Sequence, residues 1–171
     1  MAAAGTGLNR YVVALTGARG ILYTRKLCGY FQTRPDLEVH AVCSAAGEQV
    51  PKLELGLGLE ELVGPRTILH AADDFAAPLA SGSFRVRAMV VIPCSMGTLG
   101  AIAQGQSRNL IHRAAIVLAD IDVGPDDQVF AHQSGDGAGL QDVEAASVHA
   151  PLDIQGVATL AGLARETGFI I

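Results

Sequence analysis

The chain has 171 residues, of which 50% are hydrophobic and 17% charged, with a formal net charge of -5 at pH 7. This length predicts one domain over residues 1–171, and the acidic balance gives no reason to expect a nucleic acid or an anionic membrane as partner. No apolar run approaches the roughly 20 residues that a membrane span requires. Residues 1–9 lack the charged start and apolar core of a signal peptide, so we expect them to form a flexible lead-in.

The first elements in chain order are a buried strand and a helix. "RYVVALT" at 10–16 is a near-continuous, β-branched apolar run, which is typical of a strand covered on both faces. "GARG" follows at 17–20, and the spacing of apolar residues then predicts a helix from about 19 to 33. After a turn, "LEVHAVCS" at 37–44 predicts a second strand, which ends in Ser44.

The rest of the first two-thirds repeats this alternation of helix and strand. Helices are predicted at 45–55, at 56–64, from Asp73 or Asp74 to Gly82, at 96–105 and at 107–115, and strands at 88–93 and 116–119. Strands that alternate with helices over short links predict an α/β fold whose parallel sheet has right-handed crossovers.

The charge balance changes after residue 113. Up to that point there are 11 Lys and Arg against 8 Asp and Glu, whereas from residue 114 onward Arg165 stands against 9 acids. In this acidic part, "QVFAH" at 128–132 is a possible strand and 154–169 a plausible amphipathic helix.

Small polar residues follow three of the predicted strands and open the helices after them. They are Gly17–Gly20, Ser44 and Ser95–Thr98. Because ligands of parallel α/β sheets bind beyond the carboxyl ends of the strands, and helix N-termini offer free N–H groups and partial positive charge, this pattern favours a small anionic ligand. The alternative is that Ser44, Ser95 and Thr98 are simple helix caps.

The three cysteines have no CxxC spacing and an odd count, which fits a reducing cytoplasm without disulfides. The five histidines have no metal-ligand spacing, so we expect no metal site. Cys94 is more consistent with a small buried residue than with a nucleophile, because no paired histidine is evident. Tyr23 either lines a ligand pocket or packs the first helix.

Four strings of this chain resemble the flavin prenyltransferase family. They are "VVALTGARGILYTRKL", "ASGSF", "MVVIPCSMGTLGAIAQG" and "NLIHRAA", and together they cover about residues 10 to 115. The resemblance implies a Rossmann-like (flavodoxin-like) three-layer sandwich, assembled as a homo-oligomer of trimers into dodecamers with FMN between subunits. It also implies that reduced FMN receives a dimethylallyl group from dimethylallyl phosphate, without a metal, and that the product serves a partner decarboxylase.

The same resemblance implies the roles of individual residues. Glu54 falls where the family has a glutamate near the reacting prenyl group, and Arg113 falls on an arginine that helps to hold the prenyl phosphate. Arg19 replaces a serine, and it either binds the phosphate itself or crowds the site. The residues implied to meet FMN are Gly17, Ala18, Arg19, Ser44, Ser95, Met96, Gly97 and Thr98.

The last third departs from the family, so residues 116–171 are treated as divergent. Asp120 stands in place of a lysine, Phe130 and Ala131 in place of an Arg-Glu pair, and Leu160 in place of a tyrosine. Two alternatives therefore stay open: a flavin-dependent decarboxylase acting on a small acid or a peptide cysteine, and a non-catalytic FMN-binding subunit.

Overall fold

A computed structural model describes residues 9–122 and 169–170 of the chain. Its strands are β1 (Arg10–Leu15), β2 (Glu38–Cys43), β3 (Thr67–Ala71), β4 (Ala88–Val91) and β5 (Phe169–Ile170). Its helices are α1 (Ile21–Gln32), α2 (Val50–Leu55), α3 (Leu59–Val63), α4 (Met96–Ala103) and α5 (Leu110–Asp122). The strands pair in parallel in the order β3-β2-β1-β4-β5, with β1 in the centre.

The sheet is covered on both faces because its central strands are apolar on both faces. Tyr11, Val13 and Leu15 of β1 pack with α1 and α3 on one side. Val12 and Ala14, which point the other way along the same strand, pack with α4 and α5. These layers confirm the expected Rossmann-like three-layer sandwich.

Helix α5 is longer than the sequence suggested. We expected a strand at 116–119, but these residues continue α5, which runs from Leu110 to Asp122. Leu110, Ile111, Ala114 and Ala115 are buried against the sheet at helical spacing. The β-branched run that follows them extends the same helix, so the predicted strand is wrong.

Between residues 67 and 82 the structure contains one strand that was not predicted and lacks one helix that was. The unpredicted strand is β3, at the edge of the sheet. The helix expected from Asp73 or Asp74 to Gly82 is absent, and only Pro78–Ala80 forms a short 3₁₀ turn. The Asp74 carboxylate accepts a hydrogen bond from the Ala76 N–H at 3.0 Å, which favours a turn over a helix.

The predictions for the acidic part fall largely outside the described residues. The possible strand at 128–132 lies entirely outside them. Of the helix expected at 154–169, only Phe169 is described. Phe169 and Ile170 form β5, which pairs with β4.

A chain of polar side chains connects β1, β2 and β3. Glu38 Oε1 accepts hydrogen bonds from Arg10 Nε at 2.6 Å and from His40 Nε2 at 2.8 Å. His40 Nδ1 and His70 Nε2 share a hydrogen bond, also at 2.8 Å. The bonds from His40 and then Arg10 lower the pKa of Glu38, whereas burial and the neighbouring His40 lower the pKa of His70.

Candidate functional site

The three loops singled out in the sequence meet at one edge of the sheet. They follow β2, β1 and β4, which are neighbours in the strand order. The chain moves outward from β1 through β2 to β3 and then crosses to β4 on the other side, so the strand order reverses between β1 and β4. Crevices at such reversal points are where open α/β sheets bind ligands.

Hydrogen bonds join the loops after β1 and β4 directly. The N–H and the hydroxyl of Thr16 both donate to the Pro93 carbonyl, at 3.1 and 2.7 Å. The same hydroxyl accepts from the Ser95 N–H at 2.7 Å. Thr24 donates its hydroxyl to the Ile92 carbonyl at 2.7 Å. Sequence reasoning missed both threonines, because each lies inside a run assigned to a strand or helix.

The loop after β4 ends at the start of α4. Ser95 caps this helix, because its Oγ accepts from the Thr98 N–H at 3.3 Å, and it also donates to Thr98 Oγ1 at 3.1 Å. Met96 is 56% exposed and Gly97 is exposed, whereas Thr98 is buried. A Cβ added at Gly97 would have no described atom within 4 Å beyond its chain neighbours and the backbone of its own helix. The start of α4 therefore presents open space beside a helix N-terminus.

The loop after β1 ends at the start of α1. Gly20 has a φ of 104°, which favours glycine, and no side chain of its own segment caps the helix. Instead, Glu54 Oε2 from α2 accepts hydrogen bonds from Gly20 N at 3.3 Å and Ile21 N at 3.2 Å. Arg19 is exposed just before this turn. Glu54 is thus held next to Gly20, the residue that follows Arg19.

The loop after β2 packs against the loop after β1. Ser44 N donates to the Leu15 carbonyl at 2.9 Å, and Ser44 Oγ accepts from Gly47 N at 3.1 Å. A Cβ at Gly17 would lie 2.7 Å from the Cβ of Ala46. These contacts leave no room for a side chain at Gly17 and hold Ser44 beside it.

Arg113 lies on α5, where its Nε donates to the Ala80 carbonyl at 3.0 Å. This bond ties it to the "ASGSF" segment, and no hydrogen bond joins it to the other candidate residues in the described part of the chain. Asp120 belongs to α5 as well. Phe130, Ala131 and Leu160 lie outside the described residues.

The remaining candidates are not arranged for acid–base or nucleophilic chemistry. Burial raises the pKa of the Cys94 thiol to about 12, which makes it a poor nucleophile at neutral pH. Burial and then the nearby Arg108 lower the pKa of His112. Tyr23 is 45% exposed at the start of α1, so its side chain is available to a ligand.

Two classes of feature were not found among the described residues. No group of three or more His, Cys, Asp or Glu side chains there could hold a metal ion. In the same part of the chain, none of the helices is long and apolar enough to cross a membrane.

The fold and the three adjoining loops define an α/β protein whose loops after β2, β1 and β4 meet where the strand order reverses. The family model described as "Flavoprotein" matches residues 6–124. The chain belongs to this flavoprotein family.

The chain is also similar to curated proteins named flavin prenyltransferase. The chain is 41% identical over 104 residues to the flavin prenyltransferase UbiX of Methanocaldococcus jannaschii, covering 61% of this chain and 55% of that protein. It is 42% identical over 110 residues to the flavin prenyltransferase LpdB of Lactiplantibacillus plantarum, covering 64% and 59%. The matched regions thus span between half and two-thirds of the length of these relatives.

Solved structures agree with the fold. A dodecameric FMN-dependent UbiX-like decarboxylase from Escherichia coli O157:H7 matches with a TM-score of 0.66 and 26% identity, over 95% of this chain and 78% of that one. AnUbiX (PadA1), crystallised with FMN and dimethylallyl pyrophosphate, matches with a TM-score of 0.64 and 29% identity, over 95% and 76%.

Proposed function

We propose that this chain binds FMN in the crevice at the carboxyl edge of the sheet. The observation that carries the proposal is the open start of α4, where Gly97 leaves space beside a capped helix N-terminus. Free N–H groups and the partial positive charge of such a helix suit a phosphate or a flavin carbonyl. The hydroxyls of Ser44 and Ser95 lie on adjoining loops and offer further hydrogen bonds.

The residues around this opening fit the flavin. Met96 and Gly97 are exposed at the start of α4, and Gly17 and Ala18 lie on the adjoining loop without bulky side chains. Thr98 is buried and bonded to Ser95, so we expect it to shape the loop and to contact FMN mainly through Ser95.

We further propose that the chain transfers a dimethylallyl group to reduced FMN. Support comes from the relatives named flavin prenyltransferase and from AnUbiX (PadA1), which was crystallised with FMN and dimethylallyl pyrophosphate. Reduced FMN, when bound, would supply the nucleophile, and the carbon–oxygen bond of the donor would break as the new bond forms, with phosphate or pyrophosphate as the leaving group.

The chain's own part in this reaction is to hold the donor. Arg19 is exposed on the loop after β1, and we expect its guanidinium to neutralise the leaving phosphate. Glu54 keeps the start of α1 in place through two N–H groups. Arg113 Nε donates to the Ala80 carbonyl, and to bind the phosphate the guanidinium would donate from its remaining N–H groups.

We propose that the working form is a homo-oligomer, a dodecamer built from trimers; the similar structure from Escherichia coli O157:H7 is dodecameric. Leu22 and Tyr23 in the first turn of α1, Leu53 in α2 and Met96 at the start of α4 are exposed, and we expect a second copy to cover these apolar side chains. All three cysteines are free, which supports a reducing cytoplasm. A partner decarboxylase would then use the prenylated flavin.

A second candidate is a non-catalytic FMN-binding subunit. Asp120 lies in α5 where the prenyltransferase resemblance expects a lysine, so a negative charge replaces a positive one on the helix that also carries Arg113. Such a protein would bind FMN and leave it unmodified.

One anaerobic experiment separates these functions. The purified protein is reduced with FMN bound, incubated in parallel with dimethylallyl phosphate and dimethylallyl pyrophosphate, and the released flavin is weighed by mass spectrometry. Oxidised FMN with each donor serves as the control. A flavin heavier by one five-carbon unit supports prenyl transfer and identifies the donor.

The other results are equally informative. FMN that stays bound and unmodified with both donors refutes prenyl transfer and supports the non-catalytic subunit. A protein that does not bind FMN in either redox state refutes the binding proposal itself.

A further inference from the structure

The loop that opens onto the proposed flavin site is held by the hydroxyl of a buried threonine. Thr16 is 1% exposed at the end of β1. Its hydroxyl donates to the Pro93 carbonyl and accepts from the Ser95 N–H, both at 2.7 Å. One side chain therefore fixes two backbone groups of the loop after β4, on either side of Cys94.

The Thr16 hydroxyl accepts the hydrogen bond from the N–H of the cap residue Ser95, which in a capping box is bonded within the helix itself. In a capping box, the residue three positions after the cap bonds back to the N–H of the cap residue. Here that position is Thr98, whose hydroxyl accepts from the side chain of Ser95 and not from its N–H. The Ser95 N–H is bonded instead to Thr16, from a different strand.

We propose that Thr16 is a positioning residue for the flavin site: its hydroxyl sets the orientation of Ser95 and thereby of the first amides of α4. The proposal rests on the proposed function, because its consequence is read in FMN affinity. Valine has the shape of threonine without the hydroxyl. Thr16→Val keeps the N–H bond to Pro93 but leaves the Ser95 N–H without a partner.

The chain offers a matched control. Thr24 is also fully buried, and its hydroxyl also donates at 2.7 Å to a carbonyl of the same loop, that of Ile92. It makes no bond to Ser95. Thr24→Val therefore removes one buried hydroxyl bond to the loop without freeing the start of α4.

The test compares Thr16→Val, Thr16→Ser and Thr24→Val for thermal stability and for FMN dissociation constant. We expect Thr16→Val to weaken FMN binding at least tenfold. Thr16→Ser should bind FMN within about threefold of the parent, because it keeps the hydroxyl. Thr24→Val should lower the thermal stability but change FMN affinity less than threefold. Equal FMN affinity in Thr16→Val and Thr24→Val overturns the proposal. A Thr16→Ser variant as weak as Thr16→Val does so too, because it shows that the methyl group matters and not the hydroxyl.

A measurement on the flavin-free parent protein needs no variant to fold. We expect hydrogen exchange at the Ser95 amide to be at least tenfold slower than at the Gly97 amide, since the N–H groups of a first helical turn otherwise lack partners. Equal exchange rates overturn the positioning role. If the Ser95 amide exchanges slowly but the protein does not bind FMN, the bond from Thr16 is supported and the proposed flavin function is refuted.

Discussion

The open space at Gly97 allows a test in which stability and binding move in opposite directions. In Gly97→Ala, the added methyl group meets no described atom within 4 Å. Gly97 is not among the glycines with positive φ, so alanine fits the backbone without strain. The only change within the described chain is a better helix former in the first turn of α4.

The magnitudes follow from that geometry. Replacing glycine by alanine in a helix stabilises by about 0.5–1 kcal/mol, which corresponds to a rise in Tm of about 1–4 °C for a domain of this size. If FMN occupies the space beside Gly97, the methyl group must be accommodated by moving the ligand. We expect its affinity to fall at least tenfold, about 1.4 kcal/mol.

The assay is a fluorescence titration of FMN together with a thermal melt of the flavin-free protein. Gly29→Ala is the matched control, because Gly29 is an exposed helical glycine in α1 that likewise has no described atom within 4 Å of an added Cβ. Both variants should melt higher than the parent, and only Gly97→Ala should bind FMN weakly. If the two variants bind FMN equally well, the space beside Gly97 is not part of the site.

Three further predictions concern individual side chains. Ser95→Ala removes the cap of α4 and should cost about 1 kcal/mol of stability and roughly 1.5–3 kcal/mol of FMN binding; an unchanged FMN titration would remove Ser95 from the site. Glu54→Gln keeps an oxygen that can accept from Gly20 and Ile21, so FMN should stay bound. It removes the negative charge that the resemblance places near the reacting prenyl group, so prenyl transfer should slow; a parental rate by mass spectrometry would exclude a role for the carboxylate. Because the pKa of His70 lies below its ordinary value of 6.5, the unfolded chain binds this proton more tightly and stability should fall as the pH drops below about 6.5 through the folded-state pKa. His70→Gln should lose less stability than the parent between pH 7 and 5 in urea titrations, and parallel losses would contradict this cause.

The central strands could be predicted because their sequences are apolar on both faces. β1 and β4 are buried along nearly their whole length, and such runs are visible without a structure. β3 could not be found in this way, because "TILHA" at the sheet edge leaves Ile68 and Leu69 substantially exposed and shows no buried face. The run at 116–119 led to the wrong prediction of a strand, because its β-branched residues favour one. These residues are helical because the buried residues of α5 recur at helical spacing.

For the candidate site, local sequence predicted the loops but not the bonds between them. Glycine and small polar residues after apolar strands mark Gly17, Ser44 and Ser95, since turns and helix starts require such residues. The contact of Glu54 with the start of α1 depends on how α2 packs. The bonds of Thr16 depend on β4 lying beside β1, which no local pattern encodes.

The bonds that join the loops after β1 and β4 have a consequence for how the protein acquires its shape during synthesis. Thr16 meets Pro93 across 77 positions and Ser95 across 79, so the hydroxyl has neither partner until β4 has left the ribosome and docked. Contacts so distant in sequence form late, because closing a long loop carries an entropic penalty before any bond is gained. A nascent chain that stops before β4 can pair β1 with β2 and β2 with β3, but the ligand site forms only once β4 has joined the sheet. Newly made protein should therefore gain secondary structure before it gains the capacity to bind flavin.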